Sequence, residues 1–405
     1  MTRSALVIAL ALTMWTIYPV QAQPALSYRI IGTGQTKCYD NHGSIPPPKP
    51  GQAFYGQDAQ HPGPQPAYRD NGDGTVTDLY TGLIWVQARG KKITWDDALV
   101  GATKCHVGGH GDWRMPNIKE LYSLINFNGG FHSSIANSKP YLDTKYFGFA
   151  YGGAAPDERP IDCQDWTATQ YVSTTMRGNP TVFGVNFADG RIKGYPKIHP
   201  GPPGMDKAAH KLFVRYVRGN PDYGRNKFKD NNNGTITDAA TGLMWSKTDS
   251  GKGLNWEAAL DSVQKCNTEK YLGHNDWRLP NAKELQGIVD YTQAPAINDA
   301  PACDPIFQVT RFDDGDYPYF WTSTTHLDGP LDRQGGAAIY IAFGRALGWM
   351  ELPPNSGNRQ LLDVHGAGAQ RSDPKTGDPN LFPYGRGPQG DVIRIFNYVR
   401  CVRGP

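Results

Sequence analysis

Asp73-Gly74-Thr75-Val76-Thr77-Asp78 recurs as Asn233-Gly234-Thr235-Ile236-Thr237-Asp238, and Trp85 recurs as Trp245 at the same spacing. The correspondence extends outward. Trp95-Asp96-Asp97-Ala98-Leu99 answers Trp256-Glu257-Ala258-Ala259-Leu260, Cys105 answers Cys266, and Asp112-Trp113-Arg114-Met115-Pro116-Asn117 answers Asp276-Trp277-Arg278-Leu279-Pro280-Asn281. Val172-Ser173-Thr174-Thr175 and Thr322-Ser323-Thr324-Thr325 follow, and the copies close on Val214-Arg215-Tyr216-Val217-Arg218-Gly219 and Val399-Arg400-Cys401-Val402-Arg403-Gly404. A tandem duplication is the reading. It divides the chain into a signal segment (1–22), a Pro/Gly-rich lead-in arm (23–66), copy one (67–219), a linker (220–226) and copy two (227–405).

Each copy reads alike. Thr75-Val76-Thr77 and Leu83-Ile84-Trp85-Val86 predict an opening hairpin around a Thr81-Gly82 turn. Thr94 and Asn255 are suited to N-cap helices in which Trp95, Ala98, Leu99 and Ala102, and their counterparts, share one face. Asn117 with Glu120, and Asn281 with Glu284, predict capped second helices. Strands over 183–187 and 339–343 and the closing Val-Arg strands complete an α+β domain: two helices beside a small antiparallel sheet with long loops. The arm, with prolines at 46, 47, 48, 50, 62, 64 and 66, reads as an extended segment.

The N-terminus, with Arg3, an apolar run from Ala5 to about Tyr18 and Val20-Gln21-Ala22, has the form of a secretory signal. No later segment reaches the roughly 18 apolar residues of a membrane span. The protein is therefore expected to be exported, to the periplasm, cell surface or medium, with no integral membrane segment. The 41 basic and 38 acidic residues nearly cancel, giving +3, so overall charge does not point to nucleic acid. Ten Trp, 21 Tyr, 47 Gly and 32 Pro suit a loop-rich fold pinned by aromatics and not a helical bundle.

These motifs, GTVTD, TGLxW, a Trp-led helix ending at Cys, DWR[ML]PN with Lys-Glu-Leu and the terminal VRCVR, resemble the Lcl C-terminal domain family, named after a bacterial collagen-like adhesin. More distantly they are similar to the formylglycine-generating-enzyme branch of C-type-lectin-like folds. The resemblance implies two C-type-lectin-like domains, a secreted or surface location and, by way of the adhesin, binding to sulfated glycans. The oxidases of that branch carry a late cysteine pair. The strands around Asn186-Phe187 and Ala342-Phe343 carry none, so the resemblance does not imply oxidase chemistry.

Six cysteines in an exported chain favour disulfides. Cys266 at a helix end and Cys401 in the last strand are the first expected pair; Cys105 has Cys38 or Cys163 as candidates, and Cys303 takes whichever remains. Asp70, Asp73 and Asp78, with Asp230 and Asp238, sit in or beside Gly-rich turns. These are hairpin turns on one reading and a calcium site on the other, though no EF-hand frame fits them. Cys105-His106 with His110, and His274 beside Asp276, read as loop residues before a metal site, and the Asp-Trp-Arg triplets as a buried Trp with a paired Arg. No other cofactor is implied.

Two stretches are candidate ligand surfaces. One is basic, from Arg191 to Lys229, with Lys193, Lys197, Lys207 and Lys211 suited to an anionic polymer. The other is residues 351–391 of copy two, an apparent long loop, with Trp349, Arg359, His365 and Tyr384 at hand. With no HExxH, Walker loop or GxSxG elbow, the leading expectation is a non-enzymatic binding or adhesion protein for a glycan or envelope protein. A structural or assembly protein that self-associates comes second and an enzyme third.

Overall fold

The structure, a computed structural model, describes residues 26–153, 158–198, 208–353 and 356–404. The signal segment and Lys207 lie outside the described residues. The arm contributes a short hairpin, β1 (Cys38–Tyr39) and β2 (Ser44–Ile45). Copy one follows with β3 (Tyr68–Asp70), β4 (Thr75–Asp78), β5 (Leu83–Val86), β6 (Ile93–Thr94), α1 (Trp95–Thr103) and α2 (Ile118–Ser123). It continues through β7 (Gln164–Thr175), β8 (Asn179–Asn186), β9 (Arg191–Pro196), β10 (Lys211–Leu212) and β11 (Val217–Gly219). Copy two has β12 (Phe228–Asp230), β13 (Thr235–Asp238), β14 (Met244–Ser246), α3 (Trp256–Thr268), α4 (Ala282–Gly287) and α5 (Pro295–Asn298). It ends with β15 (Tyr319–His326), β16 (Ala337–Ala342), β17 (Leu347–Glu351), β18 (Arg359–Asp363), β19 (Gln370–Pro374) and β20 (Val402–Arg403). The fold is α+β, with few helices and several small antiparallel sheets.

Repeated sequence gives repeated local structure. One four-stranded sheet runs β11-β5-β4-β3 and the other β20-β14-β13-β12, the same order in each copy. Thr94 accepts the Asp97 N–H and Asn255 the Ala258 N–H, so both Trp-led helices are capped as their sequences require. Asn117 and Glu120, and Asn281 and Glu284, form reciprocal capping boxes. The same glutamates fix the preceding loops. Arg114 forks onto Glu120 at 2.7 and 2.6 Å, and Arg278 onto Glu284. Trp113 and Trp277 lie buried beside them, each donating its indole N–H to a backbone carbonyl.

The closing strands lock onto the same step. Arg218 pairs with Asp112 and Arg403 with Asp276, while Arg215 and Arg400 run inward. Each of these buried guanidiniums meets three carbonyl oxygens: Val86, Gln87 and Gly148 for Arg215, and Ser246, Lys247 and Gln308 for Arg400. The Val-Arg ending is thus a cation holding loop carbonyls together, which is why both copies keep it despite the cost of burying charge.

The copies share one sheet. Its order, β7-β8-β9-β19-β16-β15, takes three strands from each copy and joins them where Ile192 of β9 pairs antiparallel with Gln370 of β19. One core cluster likewise spans both copies, including Trp85, Phe127, Phe183, Trp245, Leu285 and Phe320. Each copy adds its own smaller core around a tryptophan pair, Trp95 with Trp166 and Trp256 with Trp321.

Two lysines make the junction reciprocal. Lys119, near the start of α2, donates to the carbonyl of Gly287, the last residue of α4, at 2.7 Å. Lys283, near the start of α4, donates to the carbonyl of Ser123, the last residue of α2, at 2.7 Å. A helix end leaves carbonyls without intrahelical partners, and here the other copy supplies the donor.

Two expectations change. The arm is not merely extended: Lys283 also holds the Gly32 carbonyl, Gln35 bridges Phe127 and Thr325, and Lys375 donates to Tyr39 and Asp40, so the arm is built into both copies. Residues 351–391 are not a structureless loop. They supply β18 and β19, the first pairing with β17 and the second completing the shared sheet. The polar composition that hid β19 reflects its place at a charged sheet centre, where alternation of apolar and polar residues is lost.

Burial pulls Lys283 down to about 7, from 10.5 in an exposed chain. The unfolded chain therefore holds the extra proton between about 7 and 10.5, and this group's contribution to stability rises with pH across that window and is smallest below it. In urea denaturation, the stability of the wild type relative to Lys283→Met should rise from pH 7 to pH 10. A difference that stays flat with pH would count against a desolvated lysine at the junction.

Candidate recognition surface

The basic stretch does not assemble into a surface. Lys193 is half-buried at the shared sheet, 3.7 Å from Asp189, and desolvation and neighbouring Arg371 lower it to about 7. Lys197 lies on the Trp95 ring at 3.6 Å, as Lys375 lies on Trp256 at 3.8 Å. Arg191 is paired with Asp189 and Asp328, Arg215 is buried and Arg218 is held by Asp112. Lys211 alone of the described candidates stands exposed, on the short β10. The part of the stretch on and just after β9 became a set of inward and stacked cations because β9 lies at the middle of the sheet, while Arg225, Lys227 and Lys229 stay exposed beyond it.

The second candidate surface does come together. β17 and β18 pair in register from Leu347–Asp363 to Glu351–Arg359, setting Trp349 opposite Leu361. The segment 379–391 folds back over this hairpin, with the Trp349 N–H on the Gly390 carbonyl at 2.8 Å. Gly390 has φ 61 and a side chain there would strike the Trp349 backbone, so the close approach needs a glycine. Tyr384 then meets Trp349 edge to face at 5.9 Å, and the Arg359 guanidinium stacks on Tyr384 at 4.2 Å while pairing with Glu351 at 3.0 Å. Tyr384 is 50% exposed, and Leu361 and Leu381 beside it are exposed too. His365, the fourth residue of that set, is elsewhere: it is buried, with Nε2 on Asp391 at 2.8 Å.

The turn carboxylates are occupied by the turns. Asp70 accepts the Gly72 N–H, Asp73 the Thr75 N–H and hydroxyl, and Asp78 the Tyr80 and Thr81 N–H groups. Asp230 and Asp238 do the same for Asn232 and Ala240, and Asp230 also holds Lys247 at 2.5 Å. His110 and His274 pack edge-on against Trp113 and Trp277. Among the described residues no three His, Cys, Asp or Glu side chains gather as a metal-holding group.

All six cysteines are free thiols in the structure, so the expected Cys266–Cys401 bridge is not formed. Those two thiols do face one another as hydrogen-bond partners, which lowers Cys266 and raises Cys401. Cys105 has no such partner in copy one, where Tyr216 stands at the place of Cys401. The Tyr216 hydroxyl donates to Ala98 at 3.0 Å, over Gly101, where a Cβ would overlap it. Copy two has Ser262 at that helix position. Cys163 lies within reach of the Pro160 carbonyl and Asn186, at 3.7 and 3.8 Å, and Cys38 lies in the arm near Lys375.

Two Trp-anchored α+β copies sharing one sheet, with an aromatic and arginine-bearing hairpin added to the second, define a tandem-repeat protein whose exposed loops differ between copies. The chain matches the model of the Lcl C-terminal domain over residues 74–218 and 234–356, more than half its length, and it belongs to that family. No curated protein and no solved structure matches it. The second matched segment ends at 356, inside the β17–β18 hairpin, so Arg359 and Tyr384 lie beyond it. Among the described residues no helix is long and apolar enough to cross a membrane.

Gly101→Ala in copy one should lower stability by about 1–3 kcal/mol, because the added methyl displaces the Tyr216 hydroxyl. Pairing it with Tyr216→Phe should recover part of the loss. An alanine variant as stable as the wild type in thermal unfolding would show that the tyrosine is not packed against this glycine.

Proposed function

We propose that this protein is an exported, non-enzymatic binding protein of the bacterial envelope, which recognises a glycan through the copy-two hairpin and its covering segment. The single observation that carries the reading is the cluster of Trp349, Tyr384 and Arg359, built on a β17–β18 hairpin that the described residues of copy one do not have. Large amphipathic rings and a stacked guanidinium dominate recognition surfaces because they offer wide contact area at little entropic cost. Tyr384 presents an open ring to the apolar face of a sugar, and Arg359 and Glu351 offer a donor and an acceptor beside it.

Export rests on the N-terminal sequence and on membership of a family named after an adhesin. The C-type-lectin-like reading is supported by the order of elements, a capped pair of helices and an antiparallel sheet in both copies and, in copy two, recognition elements inserted late. Oxidation of the adjacent Cys266 and Cys401 thiols in an oxidising compartment would tie α3 to β20 in copy two. The reading assigns no catalysis and requires no metal, so chelation should leave ligand binding unchanged.

Exposed Leu361 and Leu381 favour a second reading, in which the same patch meets a protein, either an envelope partner or another copy of this chain. A glycan array and light scattering on the mature chain separate the two. Glycan binding by a monomer, lost in Trp349→Ala and Tyr384→Ala while the melting temperature is kept, supports the first. Self-association that the same variants abolish, without glycan binding, replaces it with the second.

A further inference from the structure

A cleft of about 800 Å³ is lined in part by Arg386, Gly387 and Asp391 of the segment that covers the hairpin. Three parts of the chain wall it: His42 from the arm, Phe131 and Arg191 from copy one, and Arg371, Asp373 and Arg386 from copy two among others. Its size is that of a small-molecule site, and junctions between repeated units are common places for one.

The polar groups of its wall are mostly committed. Asp328 accepts the Phe131 N–H and the Tyr141 hydroxyl on one oxygen and holds Arg191 at 2.5 Å on the other. Asp391 takes His365 on one oxygen and Arg371 Nη2 on the other. Two residues of β19 are different. Arg371 has no hydrogen-bond partner for Nε or Nη1 among the described residues, although the residue is only 9% exposed. Asp373 spends Oδ2 on the N–H groups of Arg394 and Ile395 and on Asn397, and leaves Oδ1 without a partner.

Arg371 and Asp373 are two apart on one strand, so they stand on the same face of the sheet, their Cα atoms about 6.5–7 Å apart. A buried donor or acceptor left unpaired costs about 1–3 kcal/mol, so two neighbouring ones on a cleft wall mark groups kept for something else. Arg191, Arg333, Arg371 and Arg386 line the cleft together with Asp328, Asp332, Asp373 and Asp391, and of these carboxylates Asp328 and Asp391 are already taken by Arg191, Arg371 and His365. Burial and Arg191 both lower Arg371, to about 10. Arg333 and Arg386 at the mouth have no carboxylate within 4 Å among the described residues, and Arg386 instead lies on the Phe382 ring at 4.0 Å.

We infer that this cleft binds a small polyhydroxylated carboxylate, a sugar acid, with the carboxylate held by Arg371 and the mouth arginines and a hydroxyl donated to Asp373. A forked guanidinium matches a carboxylate, and an unpaired carboxylate oxygen matches a hydroxyl. Arg371 and Asp373 stand on one face of β19, close enough for one molecule to meet both. Phe131, half-buried at the rim, gives the ring an apolar surface. This site is separate from the Trp349 cluster, although the 379–391 segment contributes to both.

Isothermal titration of the full mature chain with sodium glucuronate and sodium galacturonate, beside glucose, tests it. At least one of the two acids should bind saturably and glucose at least about tenfold more weakly, with acetate competing for the bound acid. Arg371→Lys keeps the charge opposite Asp391 and removes the fork, and should weaken the acid about tenfold. Should that variant not fold, the exposed Arg386→Ala still reads the site, with an expected several-fold loss. Trp349→Ala should leave acid binding intact, which keeps this result apart from the hairpin's own ligand. Absence of binding by both acids, glucose binding as tightly as they do, or affinity unchanged in the folded variants would overturn the assignment.

Discussion

The structure turns on the exchange of two lysines. Lys119 and Lys283 each leave their own helix and complete the hydrogen bonding of the other copy's helix end. Neither copy is satisfied alone at that point, since a helix terminus buried without a donor is destabilised by unpaired carbonyls. The relation resembles an isologous dimer interface held within one chain. Once α2 and α4 are set against each other, β9 and β19 are brought into antiparallel register, the sheet closes across the junction and the arm is trapped where Lys283 also takes the Gly32 carbonyl.

That arrangement explains the odd chemistry of the sheet centre. Sheet interiors are ordinarily apolar, but here Arg191, Lys193 and Arg371 lie on the strands that meet at the junction, beside Asp189, Asp328 and Asp391. Removing one member would leave its partner charged and buried, so the cluster specifies one register more than it adds stability. With the junction fixed by charge, each copy could change its periphery independently. Copy one has Tyr216 where copy two has Cys401, with Gly101 leaving space for its hydroxyl; copy two has the β17–β18 hairpin between β16 and β19, where copy one turns directly from β8 into β9.

Much of this was legible in the residues. The Trp-led helices, the Asn-x-x-Glu caps, the opening hairpins and the pairing of the Asp-Trp-Arg arginines follow from local rules of spacing and capping, which act over a few residues and are the same in both copies. The meeting of Trp349, Arg359 and Tyr384 was suggested only by their shared location in a long segment. The signal that could have found β19 is the likeness of Tyr195-Pro196-Lys197 to Asp373-Pro374-Lys375, each lysine lying on the Trp that leads its helix. Arg371 and Asp373, which carry the cleft, have no such local mark.

By itself, then, the sequence determined the duplication, the elements the two copies share in sequence and the family, because these depend on contacts between residues close in the chain or repeated along it. Tertiary structure alone decided which cations face inward, that the two copies share a sheet and where a cleft opens between them. The physical reason is that a charge row such as 191–197 has no direction until its strand has neighbours. At an edge it would be a binding surface, and at the centre of this sheet it became the junction.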